Sequence, residues 1–83
     1  MTELLKKIKA GLPGELNGVK EYATFAKMAK EEGDDCVASM FRQMACEEMT
    51  HAKHLMHILD KYKIPYSELS AAYEAAQKEL EHI

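Results

Sequence analysis

From Asp34 to Ile64 the sequence holds neither glycine nor proline. A run of helix-forming residues that long is accommodated as one helix, and both of its ends are marked. Upstream, "GDD" offers Gly33 for a helix C-terminus and Asp34 or Asp35 to cap the next start. Downstream, "KIPYS" stops the helix, because Pro65 disfavours helix at Ile64 and Ser67 offers a fresh N-cap. The second helix is therefore expected over 35–62. Before it, "ELNGVKEYATFAKMAKEE" places Leu16, Val19, Tyr22, Ala23, Ala26 and Ala29 on one side of a helix. The segment before that, 1–14, reads as a short helical lead-in broken at Gly11, Pro13 and Gly14. A last helix over 66–83 carries Leu69, Ala72, Tyr73, Ala76, Leu80 and Ile83 on a narrow stripe. No strand signal, repeat or low-complexity tract is present. The expected fold class is all-α: an antiparallel helical hairpin over 15–62 with an appended C-terminal helix, in one domain spanning 1–83.

Size limits what such a chain does alone. With 83 residues, it buries a modest core and is expected to lean on a metal or a partner chain. A net charge of −3 and a pI near 5.8 point away from nucleic acid. No apolar run approaches transmembrane length, and no signal-peptide pattern precedes the first helix, so a cytoplasmic protein is expected. Cys36 and Cys46 on one helix lie about 15 Å apart along its axis, too far for an internal disulfide. Buried or half-buried thiols in a reducing compartment are the simplest reading.

The stretch "CEEMTHAKH", Cys46 to His54, breaks the apolar pattern. On a helical wheel Val37, Phe41, Met44, Leu55, Ile58 and Tyr62 fall within about 50° of one direction, and Glu48 and His51 fall among them. By the same wheel Glu47 lies about 75° off centre, His54 about 95°, and His57 on the far side. The first helix repeats the anomaly. Glu15 lies within about 30° of its apolar centre, while Glu21 points about 140° away. If the chain reverses near Gly33, Glu15 and Glu48 stand within about one helical turn of the same level. Glu15, Glu48 and His51 should therefore converge.

An isolated buried charge costs several kcal/mol, so something must compensate these three. A Glu-x-x-His pair sets an oxygen and a nitrogen ligand one turn apart, and a facing carboxylate completes a metal half-site. Oxygen-rich ligation with one imidazole favours iron or manganese over structural zinc. A bundle di-metal centre takes a Glu from each of two helices and Glu-x-x-His from each of two others. This chain supplies half of that, so two chains about a two-fold axis would supply all of it. The plainer alternative is a Glu and a His pairing with each other in an interface. Tyr22, on the same side as Glu15, reads equally as a core aromatic or as a hydrogen-bonding neighbour of the ligands. Glu31, Glu32, Asp34 and Asp35 read as a solvated turn, and His54 and His57 as solvated.

With those residues in place, the chain resembles the ferritin-like superfamily and, within it, the rubrerythrin group. The resemblance runs from Gly14 to Leu55: Glu15, Tyr22, Phe25-Ala26, Ala29, Glu32-Gly33 and then Glu48-x-x-His51-Ala52. It implies a carboxylate-bridged di-iron site with Glu15 as terminal ligand, Glu48 as bridging ligand, His51 as nitrogen ligand and Tyr22 nearby. Full rubrerythrins carry two such hairpins and commonly a Cys-x-x-Cys module, whereas this sequence has one hairpin and no Cys-x-x-Cys. Single-hairpin relatives, the encapsulated ferritin-like proteins, build the site at a two-fold interface and assemble into rings of dimers inside an encapsulin shell. The expected function is oxidation of Fe(II) to Fe(III) in a homodimer or higher homo-oligomer, for iron storage or detoxification, with manganese as the other metal to consider. The alternatives are a peroxide reductase served by an external electron donor and a non-catalytic metal-stabilised dimer.

Overall fold

In the computed structural model, which describes residues 1–83, α1 spans Thr2–Glu31 and α2 spans Asp35–Lys61. A single 3₁₀ turn, Ser67–Leu69, leads into α3, Ser70–Glu81. The chain is elongated, 47 × 20 × 15 Å. No helix is long and apolar enough to cross a membrane.

The hairpin turn forms as its residues dictate. Gly33 has φ +83, a left-handed conformation that glycine adopts without steric cost. Asp34 then caps α2, its Oδ1 accepting the Val37 N–H at 2.9 Å. The two long helices meet along small residues: Ala23, Ala26 and Ala29 on α1, and Ala38, Ala45 and Ala52 on α2, are all buried. Larger side chains (Leu12, Leu16, Val19, Met49 and Leu59) fill the core toward the open end of the hairpin. α3 packs chiefly on α1. Lys27–Glu79 at 3.2 Å ties it there, and Lys9–Glu68 at 2.8 Å holds the 3₁₀ turn before it. The Tyr66 hydroxyl donates to Asp60 Oδ1 at 2.7 Å and steadies the connection.

Four expectations need correction. The lead-in is not broken, because α1 runs without interruption through Gly11, Pro13 and Gly14. Pro13 has no N–H for the Lys9 carbonyl, a loss of about 3 kcal/mol in a helix interior. Burial of Leu5, Leu12 and Leu16 against Leu59 and its neighbours, about 1.5–3 kcal/mol for each side chain, outweighs it. The α2 stripe also shifts by one residue. The core takes Ala38, Ala45, Met49, Ala52 and Leu59, while Val37, Phe41, Met44, Leu55 and Ile58 are half-buried and Tyr62 is exposed. The third helix opens as a 3₁₀ turn with no side-chain cap from Ser67, and Ala72 on its expected apolar stripe is exposed. Both cysteines are exposed rather than buried.

Pro13 is itself exposed, so Pro13→Ala restores a backbone bond without crowding anything. We expect stabilisation of about 1–3 kcal/mol, seen as a higher urea midpoint at unchanged m-value. An unmoved midpoint would mean that the helix already satisfies the Lys9 carbonyl in another way.

Candidate metal centre

One face of the hairpin is left uncovered by α3. On it Phe25 is 38% exposed, Met28 50% and Tyr62 43%. An open groove there is lined by Phe25, Met28, Ala29, Glu32, Val37 and Phe41. Further along the same face lie Glu15 from α1 and Glu48 and His51 from α2. One ligand atom from each of these three lies within 4.8 Å of the others. His51 Nδ1 stands 3.5 Å from Glu15 Oε2 and 3.8 Å from Glu48 Oε1. The two carboxylates are half-buried, and the imidazole is exposed. The sequence had brought the same three residues together, while Glu21, Glu47, His54 and His57 all lie exposed outside the cluster.

Two observations test whether these residues suit a cation. Glu15 Oε2 is buried and has no hydrogen-bond partner, a cost that a bound cation removes. Glu48 in turn occupies space that Gly18 leaves free: a Cβ at Gly18 would stand 2.6 Å from Glu48 Oε2 and 3.2 Å from Cδ. Gly18 sits mid-helix, where glycine costs about 0.5–1 kcal/mol relative to alanine. The cradle gives that cost a purpose. Both observations fit a metal ion held by two carboxylate oxygens and one imidazole nitrogen.

The electrostatics agree. Burial raises the Glu48 pKa above its ordinary 4.5, and the neighbouring Glu15 carboxylate raises it further; only His51 works clearly the other way. Without metal, the fold holds a proton at Glu48 more tightly than the unfolded chain does. The gain is complete below the ordinary carboxylate pKa and is lost as pH rises through the raised value.

Tyr22 lies beyond the ligands toward the turn. Its ring stacks on Phe41 with centroids 6.1 Å apart and meets Phe25 edge-on at 6.3 Å. Its hydroxyl makes no hydrogen bond to Glu15 or Glu48, so the geometry is that of an aromatic wall. Gly18 is the residue that sequence reasoning missed. The available signal was an isolated glycine inside a helical pattern, three residues past Glu15.

A helical hairpin that presents two carboxylates and an imidazole on one face carries the ligand types of a carboxylate-rich metal site. The sequence model of the family described as Rubrerythrin matches residues 6–82, and the chain belongs to this family of ferritin-like di-iron proteins. It is 34% identical over 67 residues to a putative rubrerythrin of Methanocaldococcus jannaschii, a match covering 81% of this chain and 33% of the relative. It is 34% identical over 70 residues to nigerythrin of Nitratidesulfovibrio vulgaris, covering 84% of this chain and 31% of that protein. An uncharacterised protein of M. jannaschii is 40% identical over 53 residues, 64% of this chain and 38% of that one. The matches thus span about a third of the length of these curated relatives. No solved structure matches.

Two variants separate the parts of the centre. Glu48→Gln, measured without metal, should melt higher than the parent at pH 7, and the difference should shrink as pH falls through the raised pKa toward 4.5 and change no further below it. Gly18→Val should keep helical content, since valine is the better helix former, yet weaken Co(II) or Fe(II) binding by about tenfold or more. Unchanged affinity would show that the cradle is not needed.

Proposed function

We propose that two copies of this chain close a di-iron centre between their open faces and oxidise Fe(II) to Fe(III). The observation that carries this reading is the convergence of Glu15, Glu48 and His51, half of a bundle di-metal ligand set, on a face lined with uncovered apolar side chains. A second copy supplies the other half of the ligands and covers the face in one step.

Each residue has a task. Glu48 of each chain is the shared carboxylate, and Glu15 and His51 hold one iron each. Iron competes with the proton for Glu48, whose carboxyl burial holds above its ordinary pKa, so loading strengthens as pH rises. Tyr22, Phe25, Phe41 and Leu55 form apolar walls that exclude water from the reacting centre. The two Fe(II) ions are the substrate: each gives up one electron, and the pair reduces dioxygen to hydrogen peroxide or hydrogen peroxide to water. Whether the Fe(III) is then stored or passed on depends on the oligomer and compartment in which the chain works.

Anaerobic titration with Fe(II), followed by air, tests the reading. Expected are one iron per chain, dimers by mass, and ferric absorbance that develops rapidly. Glu48→Ala should cut the oxidation rate by at least about a hundredfold, on the order of 3 kcal/mol of barrier, with helicity retained. Metal binding without oxidation would indicate a metal-stabilised dimer. No binding would mean that Glu48 and His51 are an interface pair only. Repeated turnover with peroxide and a reductant would indicate a peroxide reductase.

A further inference from the structure

Because α3 packs chiefly on α1, a cleft remains between α3 and the second half of α2. It opens into a cavity of about 170 Å³, on the side of the hairpin away from Glu15, Glu48 and His51. Leu12 and Leu16, both fully buried, form its floor. The half-buried Met56, Tyr66 and Tyr73 wall it, and the exposed Ser70 and Glu74 stand at its mouth.

The polar groups at this cavity are short of donors. Glu74 makes no ion pair, and the Ser70 and Tyr73 hydroxyls make no hydrogen bond. The Tyr66 hydroxyl gives its proton to Asp60, which leaves it only lone pairs to offer. Gln77 lies one turn past Tyr73 on the same face of α3, and its Oε1 is buried without a partner. No lysine, arginine or histidine lines the cavity. An apolar floor under a free carboxylate and unpaired acceptors suits a ligand with an apolar body and a cationic, donating head.

Size and lining narrow the class. An apolar cavity of about 150 Å³ accommodates benzene, so this one takes a single ring with a short arm. Two tyrosine rings favour an aromatic body by edge or offset contact, and they attract an ammonium by their faces. We propose that the α2–α3 cavity binds a small arylalkylamine, with its ring over Leu12 and Leu16 and its ammonium at Glu74. An anionic head in the same place would meet Glu74 with no cation to offset the repulsion. The site shares no residue with the metal cluster, so it stands whether or not two copies close an iron centre.

The test titrates the isotope-labelled full chain with three matched probes: phenethylamine, phenethyl alcohol and hydrocinnamate. Expected is saturable binding of the amine with a Kd of about 1 mM or below. Amide shifts should centre on Met56, Leu69 and Tyr73, with the alcohol weaker and the carboxylate weakest. Glu74→Gln, a change at an exposed position, should weaken the amine about threefold to tenfold at low salt, with the alcohol unmoved and the difference fading at high salt. Ser70→Phe, which sets a ring in the mouth, should abolish binding of amine and alcohol alike, with helicity checked by circular dichroism. Should that variant not fold, Glu74→Gln decides alone. Absence of binding, hydrocinnamate bound as tightly as the amine, or unchanged amine affinity in Glu74→Gln overturns the proposal. Shifts at the cleft that follow protein concentration alone would show a second copy filling it, and overturn the proposal as well.

Discussion

A hairpin of two long helices has two broad faces to cover, and this chain carries one further helix to cover them. α3 and the segment leading into it take one side of the hairpin, fixed by two lysine–glutamate pairs and a tyrosine–aspartate bond. The opposite face stays open, and only 13 of 83 residues are buried, a thin core for an independent domain. The candidate ligands Glu15, Glu48 and His51 and the uncovered aromatics both lie on that open face. On the proposed dimer reading, the need for cover and the need for more ligands are one requirement.

Much of this could be read from the sequence because it rests on local rules. The turn at Gly33 and Asp34, the extent of α2 and the convergence of Glu15, Glu48 and His51 follow from capping chemistry and helical spacing. What escaped depends on which neighbour wins. Pro13 is a helix breaker by local rule, but the leucines around it are held by α2 and by the segment after it, and their burial prevails. Wheel geometry found the apolar stripe of α2 through Phe41 and Glu48, but could not see that α1 would settle on the alanines one position along. Helices pack closest where side chains are smallest, and hydropathy undervalues alanine for that purpose.

Gly18 marks a second limit. Read in its own helix, it is a mild defect. Its purpose comes from a residue thirty positions later, whose carboxylate needs the missing methyl's space. The comparisons fix the family without fixing the chemistry, because the matched region is about a third of the length of the relatives. The convergence of Glu15, Glu48 and His51 on an uncovered face gives the stronger functional argument.

The alanine seam has a reach beyond packing. No alanine binds anything, yet Ala45 and Ala52, buried on either side of the Glu48–His51 turn, set how near α2 comes to α1. They thereby set how far Glu48 stands from Glu15. The bite of the ligand set is thus specified by methyl groups, not by the ligands. A single added carbon in the seam would act as a spacer on the candidate metal centre, widening the gap between Glu15 and Glu48 without altering either residue.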